Sequence, residues 1–182
     1  MRAHGFGISA LAYAALFYFN SWLTSSFVFG AGVNGVYLPA GLRLFLILIF
    51  GLPGAIGIAL ASFLISYCGA LSDDLTICIG TGLISGFAPY LARIFVLSNL
   101  ELDSDLSNLN LSKLLILICI LVFAALSAGL HQFWYATVNI DDSGTMNHFI
   151  AMFIGDILGL VLLISLIKYS LDLLRRFRKT AH

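Results

Sequence analysis

Charge is what this sequence has least of. Nine Lys and Arg and nine Asp and Glu make up 10% of the 182 residues, while 60% are hydrophobic. A soluble domain carries about 25% charged residues, and no soluble fold covers so much apolar surface with so few of them. The mean hydropathy of +1.03 agrees. The formal net charge is zero, which leaves no long-range field to attract nucleic acid. Catalytic motifs are also missing. There is no P-loop, no GxSxG and no HExxH. Nor is there a nucleophile–base pair or a metal-ligand spacing, so the expectation is a protein with no catalysis and no cofactor of its own. The three cysteines, Cys68, Cys78 and Cys119, all lie inside apolar runs and read as free thiols packing as small hydrophobes. A Cys68–Cys78 disulfide across the loop at 72–74 is the alternative.

What the sequence does have is long apolar runs, and 36–66 organises the rest. It holds a single charge, Arg43, two of the chain's three prolines, Pro39 and Pro53, and a run of Gly and Ala. It is too long for one span and reads as two membrane helices joined tightly at Gly51-Leu52-Pro53-Gly54. The full reading is an all-α, polytopic membrane helix bundle of about six transmembrane helices. They cover 8–29, 36–50, 53–71, 75–97, 113–138 and 148–174, with a kink expected near Pro89. Helix 2 is short, so a non-helical or tilted start around Pro39 is expected. Such backbone is tolerated at membrane depth only against protein or a watery cavity. Residues 30–35 read as a loop, and 98–112 as a loop or a surface amphipathic helix. Residues 1–174 form one membrane domain, followed by a basic tail at 175–182.

With six spans both termini share a side. That side carries Arg2, Arg93, Lys113 and the basic tail, whereas the opposite loops carry Asp73, Asp74, Asp141 and Asp142 and no Lys or Arg. The positive-inside rule makes both termini cytoplasmic, in the inner (plasma) membrane of a bacterium. The basic end of the last helix reads as an anchor on anionic lipid heads or as a coupling helix to a membrane or cytoplasmic protein partner.

Two charges fall inside spans, Arg43 in helix 2 and Asp156 in helix 6, at similar depth from the outer side. Each alone costs roughly 2.5–3.5 kcal/mol at a helix centre. They are expected either to pair structurally or to form a polar site for a ligand. Pro39, Gly41, Pro53 and Gly54 shape the first tight hairpin. Gly82/Gly86 and Gly155/Gly159 are GxxxG pairs that let another helix approach closely. His131 and His148 lie near the outer face. Interfacial packing is the plainer reading for them, and metal or haem ligation is the weaker candidate.

Tyr37-Leu38-Pro39-Ala40-Gly41-Leu42, then Gly51-Leu52-Pro53-Gly54 and Ala61-Ser62-Phe63-Leu64, resembles the MASE1 family of bacterial integral membrane sensor domains. Phe153-Ile154-Gly155-Asp156-Ile157-Leu158-Gly159 is similar to that family's final helix, and Tyr90-Leu91-Ala92-Arg93 to the basic end of its middle helix. The resemblance implies a sensor or scaffold module that binds a small ligand or a protein partner in the membrane. It stands alone, without the kinase or cyclase output that members usually feed, so signal transduction would need a partner. Two other functions suit the same composition: the substrate-binding membrane subunit of a small-molecule importer, and a structural subunit of a larger membrane complex.

Overall fold

The structure, a computed structural model, describes residues 2–25, 28–30, 33–70, 74–99, 109–140 and 144–180. Six α-helices carry nearly all of it: α1 (Arg2–Leu23), α2 (Leu38–Phe50), α3 (Leu52–Ile65), α4 (Leu75–Asn99), α5 (Leu109–Thr137) and α6 (Met146–Thr180). Five, with α3 counted together with the wide turn that carries it on to Gly69, contain stretches long and apolar enough to cross a membrane. The sixth, α2, has 13 residues and is about 20 Å long at 1.5 Å per residue, short of a hydrocarbon core of about 30 Å. The most extensive packing joins α1 to α3, α3 to α4, α4 to α5, α5 to α6, α6 to α2 and α2 back to α1. The helices therefore close a ring in the order 1-3-4-5-6-2.

Local chemistry explains where the elements stop. Pro39 and Pro53 lie in the first turns of α2 and α3, where a missing N–H breaks no helical bond. Between those helices stands one residue, Gly51, at φ +61. Its N–H donates to the Ile47 carbonyl at 2.9 Å and its carbonyl accepts from Ala55 at 3.1 Å, so one glycine ends α2 and starts α3. The end of α3 opens into a wide helical turn, Ser66–Ala70, which Gly69 breaks at φ +109. Asp74 caps α4 by accepting from the Thr76 N–H at 2.7 Å.

Several boundaries differ from expectation. The first helix ends at Leu23 rather than near 29. Thr24 there folds back, its hydroxyl donating to the Asn20 carbonyl at 2.7 Å. The chain then forms a small antiparallel pair, β1 (Val28–Gly30) and β2 (Val33–Asn34), within the stretch read as helix end and loop. Helix α6 runs past Leu174 to Thr180, through Arg175, Arg176 and Arg178. Pro89 lies within a continuous α4. Most of the 98–112 segment, together with Asp73, Asp141 and Asp142, lies outside the described residues. None of Cys68, Cys78 and Cys119 forms a disulfide.

The distribution of polarity is inside out relative to a soluble protein. Leu11, Trp22, Leu83 and Phe133 are at least half exposed, while Arg43, Asp156, Asn20, Ser127 and His131 are at most 2% exposed. Apolar side chains face outward along every helix and the charges of Arg43 and Asp156 are withdrawn into the centre, as solvation by lipid requires. The chain is a multi-pass membrane protein.

Candidate functional site

The site begins with the way α2 starts. Its first free N–H, on Leu38, is met by the Asn20 side-chain carbonyl at 3.0 Å. The Asn20 amide in turn donates to Thr24 at 3.1 Å. A helix end inside a membrane needs such a partner, since water is not there to supply one. The backbone before α2 is non-helical and lies across α6. The Tyr37 N–H donates to the Gly155 carbonyl at 3.1 Å. A Cβ on Gly155 would collide with the Asn34 carbonyl, and one on Gly159 with the Tyr37 carbonyl. The α6 GxxxG thus seats non-helical backbone first. Helix α2 joins lower down, where Gly41 lies against Leu163 and the Gly159 carbonyl.

This seating brings Arg43 to Asp156. Arg43 Nη2 lies 3.6 Å from Asp156 Oδ1, with the two side chains 1% and 0% exposed. That is an ion pair longer than a hydrogen bond. Neither Asp156 oxygen takes a hydrogen bond among the described residues, and Arg43 Nε has no partner there either. Arg43 Nη2 donates to Ser127 Oγ on α5 at 3.3 Å. The guanidinium lies over the rings of Tyr37, at 5.3 Å, and Phe123, at 5.4 Å, so aromatic faces also support the charge. The Tyr37 hydroxyl meets that of Tyr13 on α1 at 3.0 Å. One arginine therefore connects α1, α2, α5 and α6.

Beside it is a cavity of about 430 Å³ lined by residues of α1, α3, α4, α5 and α6 together with Asn34, Tyr37 and Arg43. Its polar wall includes Tyr13, Ser62, Ser66, Thr81, Ser85 and His131. Ser21, Cys68 and Gly69 line it at the end of the bundle where α1 and α3 finish. A Cβ on Gly69 would meet no atom within 4 Å, so that margin is open. The volume falls in the range of small-molecule pockets.

His131 belongs to this wall and not to the lipid interface. Its Nδ1 contacts the Ser127 carbonyl at 2.8 Å, and its Nε2 contacts Ser85 Oγ at 3.3 Å. His148 makes a different contact, with Thr145 at the start of α6, at 2.7 Å. Among the described residues no group of three or more His, Cys, Asp or Glu could hold a metal ion. Gly82 and Gly86 face α3, against the carbonyls of Ala59 and Ala55. Gly54 faces the Leu46 carbonyl and Phe50. Pro39 is buried in the bundle.

The residues that sequence reasoning did not place are Tyr13, Tyr37, Phe123, Ser127 and Asn20. Four are ordinary membrane-helix residues and Tyr37 precedes α2, and only the register between elements gives each a role. Asn20 carried the one available signal, a buried amide late in an apolar helix, which demands a partner. No protein-family profile, curated protein or solved structure matches the chain.

Proposed function

We propose that this chain is a membrane-embedded, sensor-like binding module of the MASE1 kind. It takes a small molecule into the central cavity and passes occupancy to a protein partner through α6. The observation that carries this reading is the position of Arg43, which lines the cavity and is also ion-paired to Asp156 on the helix that leaves the bundle. A ligand that reaches the guanidinium competes with the carboxylate, and so changes what holds α2 to α6. The proposal is for binding and not catalysis, although Ser85 Oγ lies 3.3 Å from His131 Nε2 on the same wall.

The topology belongs to the same proposal. The non-helical backbone before α2 adds length to its 13 residues, so that the pair completes a sixth crossing. Both termini are then cytoplasmic in a bacterial inner membrane, because Arg93 and the basic end of α6 share one side. The cavity faces the other side. The same opening would serve the substrate-binding subunit of an importer, and a requirement for an ATPase partner would select that function.

Native mass spectrometry of the protein released from detergent tests the reading. A small-molecule adduct is expected on the wild type and is lost in an Arg43→Gln/Asp156→Asn double variant. A bare polypeptide mass, with no small molecule in an organic extract, would refute the binding function. Reporter fusions giving opposite sides for the two termini would refute the six-span topology.

A further inference from the structure

The chemistry of the cavity wall restricts what can bind, and this step rests on the binding function just proposed. Among the described residues that line the cavity, Arg43 carries the one formal charge and none is acidic. Asp156 balances that charge from behind and is not part of the wall. The pairing is loose at 3.6 Å, and Arg43 Nε makes no hydrogen bond. A guanidinium has five N–H donors, so most of its capacity is unspent. Around it the wall offers hydroxyls, from Tyr13, Tyr37, Thr81 and Ser62, and flat aromatic faces.

We infer that the cavity takes a small organic anion, a carboxylate or another oxyacid on a planar or aromatic body. The negative head lies against the Arg43 guanidinium and its body against the tyrosine rings. A cation is refused, because the wall provides no acid to meet it and Arg43 repels it. Charge-assisted bonds to a guanidinium are strong in a low-dielectric site, which makes this selection steep. The head group displaces Asp156 as the partner of Arg43. The carboxylate on α6 is then left uncompensated, and occupancy becomes a change in the force between α2 and α6.

The selectivity can be read without knowing the natural ligand. A Thr81→Cys substitution, in a Cys68→Ala, Cys78→Ala, Cys119→Ala background, puts one thiol in the wall. Its rates with sulfonatoethyl and trimethylammonioethyl methanethiosulfonate, each divided by the rate with free 2-mercaptoethanol, report anion against cation access in nanodiscs. The anionic reagent is expected to be favoured, by up to about tenfold, because Arg43 faces the cavity while Asp156 balances it only from behind. The preference should vanish when Arg43→Gln/Asp156→Asn is added. Ser85→Cys, elsewhere on the wall, is the second probe if the first variant does not give a monodisperse protein. Equal access, or a preference for the cation, overturns the inference and leaves the binding function standing. If neither reagent reaches either thiol, the cavity is closed and both fail.

Discussion

Two seams in this bundle use the same small-residue spacing for opposite ends. Between α3 and α4, Gly82 and Gly86 let the backbone of a regular helix come close, with the carbonyls of Ala59 and Ala55 against them. Between α2 and α6, Gly155 and Gly159 receive the non-helical chain at Asn34 and Tyr37, and one of the three residues between them, Asp156, is charged. The first seam consists of helix against helix and needs no polar chemistry. The second exposes backbone that cannot bond within a helix, so it must supply its own partners, the Gly155 carbonyl and the Asn20 side-chain carbonyl, and the Arg43–Asp156 pair lies beside them. A GxxxG gives the width of a gap; what fills the gap depends on the facing segment.

Mutation can sharpen the contrast, and the largest effect belongs to the charges. Removing one partner of a buried pair leaves the other uncompensated at a cost of about 3–5 kcal/mol. Arg43→Gln and Asp156→Asn should each lower the midpoint of thermal unfolding in detergent steeply. The double variant should recover part of the summed loss, a coupling of about 1–3 kcal/mol. Additive losses would mean that the two groups do not stabilise one another.

Next come the glycines. Gly159→Ala and Gly86→Ala each force a backbone shift, with an overpacking cost of about 1–3 kcal/mol. Stability alone should not separate them. Thiol access to the cavity should, because Gly159 positions Tyr37 on the wall and Gly86 touches α3. If both variants changed access equally, the two seams would be functionally alike.

Asn20→Ala removes the cap of α2 and should cost about 1–2 kcal/mol, read as faster amide exchange at Leu38. The smallest effect is expected outside the bundle. Arg175 and Asp172 pair at 3.9 Å and are 78% and 49% exposed, and pairs this open contribute little. Asp172→Asn should leave the unfolding midpoint unchanged within error, in contrast to Asp156→Asn on the same helix.

Much of this was legible in the residues. Apolar runs give the helices, because a bilayer forces the backbone to satisfy itself locally. Arg43 and Asp156 could be paired on paper because each is too expensive to stand alone in lipid. The tight hairpin at Gly51 and Pro53 follows from backbone angles. Other features depend on distances between helices, which spacing along one helix does not encode. The short strands at 28–30 and 33–34 were hidden because Phe27, Val28 and Phe29 continue the apolar character of α1. The chain leaves the helix earlier, at Thr24, for a reason lodged in Asn20 and its bond to Leu38. The cavity was hidden for the same reason, since its wall draws single Ser, Thr and Tyr residues from many elements.

The order in which the ring closes has a consequence for biogenesis. Arg43 leaves the ribosome early, and its carboxylate is on α6, made over a hundred residues later. At about 5–20 residues per second, α2 waits about 6–23 s as a short segment with an unneutralised guanidinium. It must remain at the membrane surface or within the insertion machinery until α6 arrives. A nascent chain stopped before Asp156 should therefore be a preferred substrate for membrane quality-control proteases, whereas one stopped after α6 should escape them.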